Sequence, residues 1–473
     1  MSVFGSASLH RHRANGGGDR DALAFAPNRS RWLIEIMLEL FLLFIGTRFI
    51  RRKWWVVGLV GLIWMALGAF FFADAFVDEI RIPPTYFAIP LVIDAGLTLA
   101  MAFFTKRSGR PARFARAALF LGIVLLLVEA PWHSDMAIGL LVGTFLIVDA
   151  VWRGASAYIL RYTKWQISLF NAVFEFFMGA WSLVPWPSNW LGEAGSDIGL
   201  LLIVSAINIC SLAYRLRNLP PDMPISQVLM RGFPPLTGAV SGSPDRSRRE
   251  RETASAVVHV WTPTGALVPI NRGISRYVAA LDERGVISTG HAALELPPDV
   301  YISHYPAVEI ERSRSAFTRI LRATPDNDVP GLFQPSYQEE SANWCASTLQ
   351  VRLHGVDAQA IRDFWAVYRM DETYNLTDRN CSSAVAKALD AGLEGIFEAQ
   401  AHSPLFLIKL FLMSERWIAG MMRRRVATMA WTPGFVLDYA RVLSHIVALI
   451  EEPPGERHDK GDRAITGGGL SQP

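Results

Sequence analysis

Six stretches of this chain stay apolar for longer than a soluble core needs, near residues 54–73, 85–104, 114–131, 135–152, 165–184 and 197–214. Crossing ~30 Å of hydrocarbon takes about 20 mostly apolar residues in a helix. Each stretch meets that demand, so the first half is expected to be an all-α bundle of six transmembrane helices. The overall hydrophobic fraction of 51% is high because of these runs; residues 215–400 read as an ordinary globular mixture. A length of 473 residues exceeds one ordinary core and implies two or three domains.

The charges between the apolar stretches alternate. Arg48, Arg51, Arg52 and Lys53 precede the first; Asp74, Asp78 and Glu79 follow it. Lys106, Arg107, Arg110 and Arg113 follow the second, no Lys or Arg lies in the turn from Pro131 to Asp135, and Arg153, Arg161 and Lys164 follow the fourth. Glu193 and Asp197 lie in the fifth loop, and Arg215 and Arg217 close the sixth span. Cationic residues stay on the cytoplasmic side, so a multi-pass protein of the plasma (inner) membrane is expected, with the N-terminus and the C-terminal domain cytoplasmic. Residues 1–53 read as a basic tail (Arg11, Arg13, Arg20, Arg29, Arg31) leading into an amphipathic helix on the leaflet, Trp32 to Phe49, with Glu35 and Glu39 one turn apart. A seventh span there is the alternative; it would carry the basic tail outside.

The apolar half, 54–215, repeats itself. Leu91 to Ala95 matches Leu146 to Ala150 at an offset of 55, and Leu202 to Ala206 follows at a further 56. Gly68-Ala69 and Gly179-Ala180 are 111 apart, so three helical hairpins of one design are expected. Asp94, Asp149 and Glu175 lie inside spans, where a carboxyl is costly. The recurrence of Asp94 and Asp149 at matched positions reads as contact between repeats, and a transporter using those two acids is the rival reading. With this layout and the segment Gly143 to Ala150, the bundle resembles the HdeD family of acid-resistance membrane proteins, which carries no defined chemistry.

A linker rich in Pro, Gly, Ser and Arg spans 216–255, its Arg246, Arg248, Arg249 and Arg251 able to rest on anionic lipid or merely solvated. An α+β domain is expected over 256–400: strands at 256–261, 286–296 and 300–305, the last two a hairpin turning at Pro297-Pro298-Asp299, then helices near 358–370 and at 382–391 ended by Gly392. Residues 401–473 read as two amphipathic helices, against the membrane or the domain, and a disordered tail.

Cys381 opens the helix after Asn380. Unpaired N–H groups at a helix start favour a thiolate and can hold an oxyanion. His291 and His304, on neighbouring strands, offer a base and a third polar group. Gly290 to Glu295, Tyr301 to His304, and Tyr374-Asn375-Leu376 leading to Asn380-Cys381 resemble the circularly permuted papain-like superfamily, including lecithin:retinol acyltransferase-like enzymes and bacterial peptidases or amidases. That resemblance implies Cys381 as nucleophile, His291 as base and His304 as the orienting residue, acting on a peptide, amide or lipid-ester substrate. Ser382-Ser383 stand where the acyltransferase branch has Glu-His. The non-enzymatic alternative is an HdeD-like membrane stress protein whose soluble domain binds a partner.

Cys210 and Cys345 read as structural, and three cysteines make no disulfide framework. No metal spacing or phosphate loop is present, so neither metal nor cofactor is expected. A net charge of +3 gives no reason for a nucleic-acid partner. The expected partners are the lipid bilayer and, through the bundle, a homo-oligomer. A reporter active only outside the cytoplasm, fused after Arg217, should be silent; strong activity there would reverse the topology.

Overall fold

The computed structural model describes residues 33–74, single positions between 92 and 125, 134–162, 165–184, 193–219, 224–226, 252–261, 280–281, 287–288, 290–308, 310, 317–427 and 430–451. Asp94, the body of the spans expected at 85–104 and 114–131, the basic tail, nearly all of the linker and the C-terminal tail lie outside the described residues.

Helices α1 (Leu33–Ile45), α2 (Thr47–Arg52), α3 (Trp54–Asp74), α4 (Ser134–Leu160), α5 (Trp165–Ser182) and α6 (Glu193–Arg217) make up the first half. Among the described residues three segments are long and apolar enough to cross a membrane: Trp54–Asp74, Gly139–Leu160 and Gly195–Arg217. Their outward residues are large and apolar, as Leu62, Ile63 and Phe70 on α3 illustrate.

Helix α3 packs antiparallel on α6, and α4 on α5. Glycines set the distance of approach. A Cβ on Gly68 would stand 2.9 Å from the carbonyl of Gly199, and one on Gly143 would stand 2.8 Å from that of Gly179. With lipid on the outside there is little hydrophobic gain between helices, and close van der Waals contact between small residues takes its place. The offset of 111 aligns Gly68 with Gly179, and the offset of 56 that aligns Asp149 with Ser205 also aligns Gly143 with Gly199. The two pairs are therefore the same contact, made twice.

Arg153, read from sequence as a flanking charge, is inside α4 and buried. Its Nη2 pairs with Asp149 one turn earlier and reaches Glu175 on α5 at 3.0 Å. Two carboxylates offset the cost of burying the guanidinium, so the helix runs on past it. Asp149 and Glu175 thus serve the α4–α5 contact. The hydroxyl of Ser182 likewise donates to the buried Asp197.

The C-terminal part is α+β. Strand β1 (Thr253–Trp261) is followed by β2 (Ala280–Leu281), β3 (Ile287–Ser288), β4 (His291–Leu296), β5 (Val300–Ile302), β6 (His304–Pro306), β7 (Val329–Phe333), β8 (Leu349–Asp357) and β9 (Thr373–Tyr374). Helices α7 (Phe317–Ile320), α8 (Tyr337–Asn343), α9 (Ala358–Tyr368), α10 (Cys381–Leu393), α11 (Pro404–Leu412), α12 (Ser414–Ala427) and α13 (Pro433–Glu451) complete it. The sheets are antiparallel, ordered β5-β4-β1-β8, β2-β3 and β6-β7-β9. Leu294 pairs with Ile302 and Leu296 with Val300, the expected hairpin, but the returning strand changes sheet at Ser303.

Helix α10 is buried over nearly its whole length, against β4 and β8 on one side and helices α9 and α13 on the other. Gly392 does not end it. A Cβ there would stand 2.8 Å from Ile361, so the glycine admits α9, and the chain turns instead at Gly395, with φ 67°.

Two expected boundaries move. The segment placed on the leaflet is α1, and its residues Glu39, Leu40 and Leu42 to Ile45 are buried by protein. The N–H groups of Gly395 and Phe397 donate to the carbonyls of Leu43 and Phe44 at 2.7 and 3.0 Å. A helix on a leaflet would keep one apolar face uncovered; this one has both faces filled. Nor does the core stop at residue 400, since α13 buries Val436, Leu443 and Val447 in it.

Glu394, which caps α10, joins the two halves. It accepts the hydroxyl of Thr47, just before α3, and the N–H groups of Ile225 and Ser226, just after α6, at 2.9 and 3.0 Å. At the other end the N–H of Ala323 donates to the carbonyl of Leu160, the last residue of α4, at 2.6 Å, and Leu321 accepts the hydroxyl of Thr377 at 2.7 Å.

The close helix contacts give a paired prediction. A Cβ at position 199 would stand 2.5 Å from the main-chain nitrogen of Phe72, whereas one at 154 meets Ala172 at an ordinary 3.5 Å. Gly199→Ala should lower stability by about 1–3 kcal/mol, and Gly154→Ala should be nearly neutral. Thermal unfolding in detergent measures both; equal effects would contradict the packing.

Candidate functional site

Three elements meet where β4, β6 and α10 begin. Asn380 caps α10: its side chain accepts the N–H of Ser383 at 2.7 Å, and the Ser383 hydroxyl accepts the N–H of Asn380 at 2.9 Å. The Asn380 amide also donates to the carbonyls of Leu376 and Trp431 at 2.7 and 3.1 Å. This reciprocal cap fixes Cys381 as the first helical residue. The thiol is 7% exposed. Its sulfur faces the N–H groups of Ala292 and Ser382, with the Ser382 hydroxyl at 3.7 Å. Burial raises the Cys381 pKa above its ordinary value, while the hydroxyl and the two N–H groups act in the opposite direction. The thiol at rest is protonated.

Ala292 follows His291, so the sulfur sits against the main chain of the histidine strand. His291 is buried on the other face of β4, with Ala293, Glu295 and the paired Tyr301, and Ser303 and Tyr305 reach its ring from the chain beyond β5. Its Nε2 meets the Ser303 hydroxyl at 2.9 Å and Glu340 Oε1 at 3.3 Å, and its ring stacks on Tyr305 with centroids 3.9 Å apart. Burial, then the charge of a protonated His304, push His291 down to about 3. The ring is therefore neutral at ordinary pH, and with its hydrogen on Nε2 facing Glu340 the Nδ1 lone pair is left to accept a proton. Glu340 also accepts the hydroxyls of Tyr301 and Tyr305 at 2.5 and 2.7 Å. Burial first, and this carboxylate next, hold both phenols protonated.

His304 does not take the place expected for it. One residue along from Ser303, it lies on the opposite face, and its Nδ1 meets the Tyr368 hydroxyl at 3.0 Å. Its Nε2 points at the Glu372 carbonyl past Gly331, where a Cβ would stand 2.2 Å from that oxygen and 2.3 Å from Nε2. Burial, then the charge of Arg379, hold His304 down to about 4. The partners of His291 are Ser303 and Glu340. Nor is the sulfur hydrogen-bonded to an imidazole among the described residues.

Ser303 was within reach of the sequence: a turn at 297–299 that pairs 296 with 300 also sets 293 opposite 303 on the face of His291. Glu340 was not, since a loop and a short helix deliver it with no spacing to announce it. Cys345 is exposed, and its carbonyl accepts the indole N–H of Trp261 at 2.8 Å. Among the described residues no group of His, Cys, Asp and Glu could hold a metal ion. Compared with protein-family models, curated proteins and solved structures, the chain has no match.

Both histidines are neutral in the folded state and gain a proton more readily in the unfolded chain, whose reference value is 6.5. The stability they contribute is complete above that value and is lost as pH falls through about 4 and then 3, at up to about 1.4 kcal/mol per pH unit for each ring. The thermal midpoint should fall steadily from pH 6.5 to 4, and His304→Gln should flatten the decline. A level midpoint over that range would contradict the buried neutral rings.

Proposed function

We propose that the chain is a membrane-tethered thiol hydrolase or acyltransferase with a cytoplasmic, permuted papain-like catalytic domain on an HdeD-like bundle of six spanning helices. One observation carries the catalytic reading: a thiol at the first position of a capped, buried helix, with main-chain N–H groups converging on its sulfur beside a histidine already oriented by a carboxylate. The repeated glycine contact supports the bundle. The pairs α3–α6 and α5–α4 each join one hairpin to its neighbour. Two buried histidines that lose stability below pH 6.5 favour a neutral compartment for the soluble domain.

In this reading the Cys381 sulfur attacks the carbonyl carbon of an amide or ester, and its proton passes to Nδ1 of His291. Side-chain rotation must first bring ring and sulfur together, as happens in many sites before substrate binds. The N–H groups at the start of α10 hold the oxyanion. The protonated imidazole, steadied by Glu340, then gives its proton to the leaving amine or alcohol. Water, or an acceptor hydroxyl or amine, releases the acyl group from the thioester. His304 supports the α9–β6 junction and takes no proton.

A second reading has its own observation. Among the described residues the sulfur has no imidazole partner, and burial keeps the thiol protonated, as suits a binding domain of a membrane stress protein. Chromogenic acyl esters and amides, given to the full-length protein in nanodiscs, separate the two. The thiol enzyme gives a burst of leaving group and an acyl adduct on Cys381. Cys381→Ala abolishes both, His291→Ala slows the burst about 10²–10⁴-fold, and Cys345→Ser changes neither. Lack of any adduct on Cys381 across ester and amide probes would sink the enzyme and leave the binding domain.

A further inference from the structure

On helix α11 large apolar side chains stand in the open together. Leu405 is 79% exposed, Ile408 and Leu412 are 55% exposed each, and the i, i+3, i+7 spacing puts all three on one face. The opposite face is anchored: Leu410 is fully buried, and Phe406 packs on Phe397 with centroids 5.7 Å apart. Phe411, at the margin of the outer face and 42% exposed, meets Phe41 edge-on at 6.0 Å. The helix carries its own start signal, Pro404 in the first turn with the Ser403 hydroxyl accepting the N–H of Phe406. Its shape is thus set by the protein, and only its outer face lacks a cover.

The neighbourhood says what covers it. His402, just before α11, packs edge-on against Phe49 at 5.5 Å. Phe49 precedes the apolar span of α3 by five residues, roughly 7–8 Å of helix rise. Arg51, Arg52 and Lys53, between the two, are exposed, α11 contains Lys409 and no acid, and Trp55 on the first turn of the span is exposed as well. Cations beside an apolar face, next to a segment that enters hydrocarbon, are the signature of a helix seated in a lipid headgroup layer.

We propose that α11 lies in the membrane surface, with Leu405, Ile408 and Leu412 inserted among the acyl chains of the leaflet that α3 enters at Trp54. The soluble domain is then held to the bilayer by a face of its own as well as by the chain connections to α3 and α6. This rests on reading α3 as a span. Insertion to a depth on the order of 5–10 Å is expected of such a helix.

The test uses full-length protein, its three native cysteines replaced, in nanodiscs of phosphatidylcholine and phosphatidylglycerol. Single cysteines carrying a fluorophore are placed by Leu405→Cys, Ile408→Cys and Leu412→Cys, with Leu62→Cys in the span and Met370→Cys on the exposed surface as references. Labels on α11 should lose most of their emission to a nitroxide on the lipid chains and little to a water-soluble quencher; the label at 370 should do the reverse. If α11 labels respond to the aqueous quencher while the label at 62 responds to lipid, insertion is wrong and the span stands. If the label at 62 does not respond to lipid either, the span reading has failed. Labels on α11 shielded from both quenchers would mean a second copy or another protein on that face, and would overturn the proposal equally.

Discussion

Glu394 holds together parts of the chain that lie far apart in sequence. Thr47 is 347 residues away and Ile225 is 169, yet both donate to its carboxylate, one from just before α3 and the other from just after α6. Several donors on one carboxylate make a charge-assisted junction stronger than any of its bonds alone. Because Glu394 caps α10, the junction ties the ends of the first and last helices of the bundle to the helix that begins with Cys381. The other end of α10 is tied to the bundle as well, through Thr377, Leu321 and Ala323 to the end of α4. Thirteen residues of helix, about 20 Å, therefore bridge two attachment points on the bundle, and the thiol sits at one of them. Gly46 shows how close the approach is: with φ 87°, it would carry a Cβ only 2.6 Å from the Gly395 Cα.

The chemistry of the site follows from sheet geometry. Side chains alternate across a strand, so β4 sends Ala292 and Leu294 toward α10 and His291 toward the cluster around Glu340. The sulfur and the imidazole lie on opposite faces of β4, near the end of its pairing with β5, and the Ala292 N–H faces the thiol. Such a site is assembled neutral: burial raises the thiol and lowers both imidazoles. In the proposed mechanism the ion pair of thiolate and imidazolium is created on substrate binding, with Glu340 in place to stabilise the imidazolium.

What could be read from the sequence divides along the same physical lines. Period and length are local properties, so the apolar helices at Trp54–Asp74, Ser134–Leu160, Trp165–Ser182 and Glu193–Arg217, the hairpin at 297–299 and the helix at Cys381 were legible. The repeat was legible too, and its glycine positions reappear as the contacts between α3 and α6 and between α5 and α4. Long-range pairings were not. Arg153 looked like a flanking charge because its partner Glu175 lies on another helix. Glu340 gave no signal because nothing in its spacing reports that a loop will carry it to His291. His304, expected beside His291, lies one position from Ser303, whose hydroxyl does meet the ring, and in a strand one position is a change of face.

The same logic explains why α1 looked like a membrane-surface helix. Its sequence is apolar with two acids on one face, which fits a leaflet and fits a protein groove equally well. What decides is whether another apolar surface is available to cover it. The segment from Glu394 to Phe397 and helix α12 supply one, leaving Leu40 and Phe44 without exposure. Helix α11 touches α1 through Phe41 and Phe411, and its own outer face is left exposed; in the proposal above, that face takes the position next to lipid that α1 does not occupy. Two apolar helices beside one span cannot both bury against the same domain and both face the bilayer. The structure puts α1 inside and leaves α11 at the surface.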